Sequence, residues 1–220
     1  MDLPRIFPFG EGALVCESPA PATLACQKRF WAMAAAAQQW PYVTEIVPGM
    51  NNLTVLFDPL AADVDALAKM LAKAWRAAAE NLKPGRLVEI PVCYGGESGP
   101  DLAEVAQHTK LSIEEIIKRH TNTEYTVFCL GFQPGFAYLG GLDPKLATPR
   151  RAEPRVAIPA GSVGIGGTQT GIYPASSPGG WQLIGRTAAK LFDPMGNPPS
   201  LLQPGDRVRF TIASQTTITI

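Results

Sequence analysis

Leu60, Val64, Leu67, Leu71, Ala74 and Trp75 recur at intervals of three and four residues, the spacing that lays one apolar stripe along a helix. Asp58 followed by Pro59 supplies a start, with an acceptor at the cap and a proline where no N–H is needed. The stripe predicts a helix ending near Asn81, followed by a turn at Lys83, Pro84 and Gly85. Alanine-rich residues 22–39 predict another helix. Short β-branched or apolar runs at 13–16, 42–47, 53–57 and 87–92 read as strands, and the turn residues from Pro48 to Asn52 make the middle pair a hairpin. The order is β-α-β-β-α-β, which predicts a ferredoxin-like domain over residues 1–93.

Beyond a linker at 94–100 the pattern changes twice. Asp101 is placed to cap one short helix, and Ser112 with Glu115 forms a capping box for a second. In that second helix Ile113, Ile116, Ile117 and His120 share a face. A strand follows at 124–130, and from Gly131 to Arg209 helical periodicity disappears. Glycine and proline crowd this stretch, and each resists ordinary strand or helix geometry for its own reason. The interleaved Phe132, Phe136, Tyr138, Trp181, Ile184, Leu191 and Phe192 argue for a tight fold made of many turns. Runs at 156–158, 181–184 and 208–212 are short and evenly punctuated, predicting a compact β-barrel over residues 94–220 behind two leading helices. The fold class is α+β.

Composition narrows the field. At 220 residues and 46% hydrophobic, the chain is long and apolar enough to bury real cores. Nineteen basic residues balance nineteen acidic ones, so the overall charge favours neither nucleic acid nor an anionic membrane surface. Cys16, Cys26, Cys93 and Cys129 form no CxxC pair and read as reduced, mostly buried thiols. Neither a signal-type apolar stretch nor a run of roughly 20 apolar residues occurs, which leads to the expectation of a cytoplasmic protein.

With only His108 and His120, a three-histidine metal site is excluded, and no metal is expected in the site. His108 sits near the polar end of a helix and is expected at the surface. His120 lies on the apolar face of its helix, where it is either a satisfied core histidine or a working one. GxSxG is absent, so Ser162 and Ser177 lack the context of an activated nucleophile. GSVGIGGTQTG lacks the GK[ST] ending of a phosphate loop and precedes no helical pattern, although its N–H groups could still cradle an anion. Arg150, Arg151, Arg155 and Arg186 gather where carboxylates are sparse; they are either guanidinium forks for a carboxylate or phosphate, or ordinary surface arginines and structural ties to carbonyls. Gln169 and Thr170, polar and set between glycines, could supply orienting hydrogen bonds; Tyr138, Tyr173 and Trp181 either wall a pocket or fill the barrel.

Four phrases carry a resemblance: PVCYGGESGPDLAEVA (91–106), GFQPGFAYLGGLDPKLATPRR (131–151), PAGSVGIGGTQTGIYPASSPGGWQLIGRT (159–187), and LFDP with PPSLLQPGDRVRF (191–210). Together they resemble the family of the 5-oxoprolinase B-type subunits, whose members also go by the names allophanate hydrolase subunit 1 and KipI. The resemblance implies a ferredoxin-like N-terminal domain, a cyclophilin-like C-terminal barrel, and a 5-oxoprolinase C-type partner. With a third, LamB/YcsF-like A-type component, such an assembly is an ATP-dependent hydrolase that opens 5-oxo-L-proline to L-glutamate, using ATP with Mg²⁺. This chain alone is expected to be inactive. In that setting His120 is the candidate for proton transfer or substrate orientation, and Arg150 the candidate to pair with a carboxylate or phosphate. Tyr138, Gln169, Tyr173 and Ser177 are the candidates to line the pocket. Two alternatives stay open: a KipI-like module that inhibits a sensor histidine kinase, and a component related to allophanate hydrolase or urea carboxylase.

Overall fold

A computed structural model describes residues 3–19, 22–78 and 85–213. The chain divides into two compact units, Met1–Lys83 and Pro84–Ile220. In the first, β1 (Arg5–Pro8), β2 (Ala13–Glu17), α1 (Leu24–Ala37), β3 (Val43–Gly49), β4 (Asn52–Phe57) and α2 (Val64–Ala77) follow one another. The strands form one antiparallel sheet in the order β1-β2-β4-β3. Burial along β4 alternates residue by residue, so Leu53, Val55 and Phe57 join Leu14 and Cys16 in packing with Phe30, Met33, Leu71 and Trp75.

Local chemistry sets the helix ends, with two departures from expectation. The Thr23 hydroxyl accepts from the Cys26 N–H at the start of α1. At α2 the cap is Asp63, which accepts from Ala66 N–H, while Asp58 and Pro59 form a separate turn that leaves Leu60 97% exposed and outside the stripe. The helix stops at Ala77 because Ala78 is already extended; Asn81 and the Lys83–Pro84 turn lie outside the described residues.

The expected β-α-β-β-α-β order is also changed. The strand at 87–92 is part of β5 (Leu87–Tyr94), which pairs with β13 (Arg207–Ile212) and β12 (Gln182–Arg186) of the second unit. A boundary after residue 93 would therefore cut through the end of a barrel strand. The sheet position beside β2 belongs to β1 instead, so the first unit runs β-β-α-β-β-α. A short hairpin explains why β1 fills it: Gly10 takes a φ of +67° in the turn, and so brief a loop closes at little entropic cost.

The second unit opens with β5 and continues through α3 (Leu102–Thr109), α4 (Ile113–Asn122), β6 (Glu124–Leu130) and β7 (Ala137–Gly140). After a 3₁₀ turn at Pro144–Leu146 come β8 (Arg155–Ile158), β9 (Ser162–Gly166), β10 (Gln169–Ile172), β11 (Ser177–Gly179), β12 and β13. Among the described residues seven strands close a barrel in the order β10-β7-β6-β13-β5-β12-β9, with β9 meeting β10. Its interior is filled by Ile90, Val92, Val127, Leu139, Val163, Ile165, Ile184 and Phe210. β8 and β11 form a separate two-stranded ribbon. Close packing accounts for part of the glycine content. A Cβ at Gly166 would collide with the Trp181 indole, and one at Gly140 with the Phe128 ring.

Asp101 precedes α3 without capping it through its side chain. Its carboxylate is instead taken up by two arginines, described below. Ser112 does cap α4, accepting from Glu115 N–H. The cysteines are free, with Cys16, Cys26 and Cys129 buried. No described helix is long and apolar enough to cross a membrane.

Candidate functional site

An open cleft of about 410 Å³ lies in the second unit, against the barrel wall that carries Trp181. Three segments build it. The β6–β7 connection brings Phe132 and Phe136, with Tyr138 following on β7; the segment ahead of β8 brings Arg150; residues from Tyr173 to Trp181 complete the wall. Phe136 is the hub, with ring centroids 5.0 Å from Tyr138, 5.6 Å from Tyr173 and 5.8 Å from Trp181, all edge to face. Such contacts hold a wall of rings in fixed orientation, each contributing about 1 kcal/mol beyond burial.

Arg150 lies 5.9 Å above the Trp181 ring. Burial raises the pKa of Tyr138 and Tyr173, the Trp181 main-chain bond opposes the rise at Tyr173, and the Arg150 charge opposes it at both. Both phenols therefore remain protonated at neutral pH and available as hydrogen-bond donors. The other three arginines are committed elsewhere. Arg155 grips the buried Asp101 carboxylate at 2.6 and 2.8 Å, Arg151 reaches it at 3.2 Å, and Leu183 N–H adds a bond of 2.7 Å. Arg186 donates from Nε to the Ala160 carbonyl. Among the described residues Arg150 has no carboxylate partner, and it is exposed at the cleft.

Phe132 is unusual in two ways. Its φ is +67°, a conformation that costs a bulky side chain about 1–2 kcal/mol, and its side chain remains 61% exposed. Gln133 N–H bonds back to the Gly131 carbonyl at 2.8 Å, so Phe132 sits at the centre of a strained γ-turn. Phe136 N–H to the Gln133 carbonyl and Gly131 N–H to the Phe136 carbonyl then lock the loop.

Of the six expected site residues, the structure brings Tyr138, Arg150 and Tyr173 together at the cleft. Ser177 adjoins it through Pro178, and its Oγ is enclosed without a hydrogen-bond partner. Gln169 starts β10 opposite Gly166 in the β9–β10 hairpin and is not part of the cleft wall.

His120, the candidate for proton transfer or substrate orientation, is not among the residues that line the cleft. It is fully buried in the barrel, 4.4 Å from the Phe210 ring in a stacked arrangement. Thr170 gives its hydroxyl proton to the Gly164 carbonyl, so its oxygen accepts from His120 Nε2 at 3.0 Å. His120 Nδ1 in turn accepts from the Tyr94 hydroxyl at 2.7 Å. This assigns a neutral imidazole protonated on Nε2, with both nitrogens occupied. Burial pushes its pKa down to about 3.

The aromatic walls contributed by Phe132 and Phe136 were legible only as core-type residues, and Asp101 only as a helix cap. A better signal for Asp101 was the arginine pair itself, which needs a nearby anion when buried. No group of three or more His, Cys, Asp or Glu among the described residues gathers to hold a metal ion. The glycine-rich 162–172 stretch forms the β9–β10 hairpin, which does not lead into a helix. That stretch therefore lacks the loop-to-helix context of a phosphate loop.

A closed barrel with an arginine-bearing aromatic cleft, in a chain that also carries a small α+β unit, is the arrangement that comparison places in a class: the carboxyltransferase domain, subdomains C and D, matches residues 4–202. Within that class the chain is 52% identical over 212 residues to the 5-oxoprolinase B-type subunit of Escherichia coli O157:H7, covering 96% of each. It is 51% identical to the 5-oxoprolinase B-type subunit of Haemophilus influenzae, covering 94% of this chain and 97% of that one. The chain belongs to this family of 5-oxoprolinase B-type subunits. Among solved structures, TTHA0988 is 36% identical with a TM-score of 0.81, covering 94% of this chain but only 41% of its own. The Kluyveromyces lactis urea amidolyase shares the fold at a TM-score of 0.80 and 20% identity, covering 96% of this chain and 15% of that one.

Proposed function

We propose that this chain is the B-type component of an ATP-dependent 5-oxoprolinase, working with a 5-oxoprolinase C-type protein and a LamB/YcsF-like A-type protein to convert 5-oxo-L-proline to L-glutamate. The observation that carries the reading is the near full-length match to relatives named as 5-oxoprolinase B-type subunits. The cleft supports it physically. A small cyclic amide with one carboxylate suits the Arg150 guanidinium set among aromatic rings, because an arginine with no carboxylate partner among the described residues supplies the countercharge and flat walls suit a flat ring.

In this reading Arg150 holds the carboxylate, Tyr138 and Tyr173 offer hydrogen bonds to the lactam, and Ser177 stands beside them. His120 contributes by fixing the barrel wall behind the cleft. Activation of the amide carbonyl and the binding of ATP with Mg²⁺ belong with the partner proteins, and the isolated chain is inactive. The barrel is read as cyclophilin-like and the protein as cytoplasmic.

The test is reconstitution. Co-purified with candidate A-type and C-type partners, the chain is expected to support glutamate release from 5-oxoproline that requires ATP. A fully assembled complex that releases no glutamate would overturn the reading, and robust turnover by this chain alone would overturn the shared site.

A further inference from the structure

Phe132 has no explanation as a packing residue. Its neighbour Phe136 is 2% exposed and makes the ring contacts that build the wall, whereas Phe132 leaves 61% of itself in solvent. Its ring meets Phe136 at 77° and Tyr173 at 87°, at centroid separations of 5.3 and 6.4 Å, so only its flank is covered. The backbone beneath it is left-handed, where glycine or asparagine would sit without strain. An aromatic side chain held in an unfavourable conformation and kept wet on a cleft wall marks a position selected for what enters the cleft.

We propose that Phe132 is a positioning and specificity residue: it supplies the face against which a flat ring lies while Arg150 holds the ring's anionic substituent. The cleft then selects small planar rings carrying a single negative charge over open-chain acids of similar size. This inference rests on the 5-oxoprolinase reading, because the lactam ring of 5-oxoproline is the ring in question. Binding covers Phe132 in both ground state and transition state. Its loss therefore appears in KM and leaves kcat in place.

The experiment uses the assembled complex and three small molecules. 5-Oxo-L-proline is the substrate; pyrrolidin-2-one, a ring without charge, and N-acetylglycine, a charged amide without a ring, are competitors. Phe132→Ala is expected to raise KM for 5-oxoproline about tenfold with kcat within about twofold. It should weaken pyrrolidin-2-one inhibition to the same extent and leave N-acetylglycine inhibition unchanged, while Phe132→Tyr restores all three. Should Phe132→Ala fail to assemble, Phe132→Asn carries the test, since asparagine accepts the same positive φ. An unchanged KM, or an equal penalty on ring and open-chain ligands, overturns the proposal. A wild-type complex with no turnover at all overturns the parent reading and this inference with it, an outcome visible before any variant is made.

Discussion

Inside the barrel, His120 has both ring nitrogens engaged by Tyr94 and Thr170, whereas in the cleft Arg150 lies over Trp181 with no carboxylate among the described residues. Thr170 passes its own proton on to Gly164, so that chain of donors and acceptors ends with no group left over. The cleft shows the reverse pattern. On its walls Phe132 is strained and wet and Arg150 is exposed, and beside it Ser177 Oγ is enclosed and unpartnered. A folded chain that satisfies one polar region completely and leaves its neighbour incomplete is specifying structure in the first and readiness for a ligand in the second.

That contrast can be broken most sharply at His120. His120→Ala removes a buried ring and strands the Tyr94 hydroxyl, so unfolding free energy in urea should fall by about 4 kcal/mol. A loss below about 1 kcal/mol would mean that the network contributes little to the fold. Arg150→Ala is the complementary change: kcat/KM of the assembled complex for 5-oxoproline should drop about 100-fold while the urea midpoint stays put. If midpoint and activity fall together, Arg150 belongs with the structural group after all.

Acid sharpens the same distinction. Burial pushes the His120 pKa in the fold well below the ordinary value near 6.5 that holds when the chain is unfolded, so below 6.5 the unfolded state binds the extra proton. Its contribution is complete above that value and erodes as pH falls. Between pH 6.5 and 5 the loss should be about 2 kcal/mol, and His120→Gln should flatten that part of the stability curve. Parallel curves for the two proteins would show that the burial of this ring is not what makes the fold acid-sensitive. The smallest effect is expected at Ser177. Ser177→Ala deletes an unpartnered hydroxyl, so stability should hold or rise by up to about 1 kcal/mol; a clear decrease would reveal a partner for Oγ.

Much of this was legible in the residues. The α2 stripe, the Ser112 cap and the turn-rich barrel all follow from local rules of spacing and cap chemistry, which act over a few residues. What local rules miss is pairing at a distance. Residues 87–92 are a good strand in any context, and nothing in their own sequence announces that their partner is β13, more than a hundred positions away. Asp101 looked like a cap because its arginines come some fifty residues later. The cleft was half visible for the same reason. Residue type singled out Arg150, Tyr138 and Tyr173, but only the fold separates a wall-building Phe136 from a waiting Phe132.

The parallel pairing of β5 with β13 carries one more implication, for how the protein is made. The barrel's first strand leaves the ribosome long before its last and cannot take its place beside β13 until residues 207–212 have emerged. The cleft depends on the same closure through β7, β10 and β12. Until then the growing barrel exposes the unpaired edges of β5 and β6, while the first unit, whose sheet needs nothing beyond β4, is free to fold on its own. A ribosome stalled shortly before residue 207 would therefore display a finished first unit and an open, aggregation-prone second one.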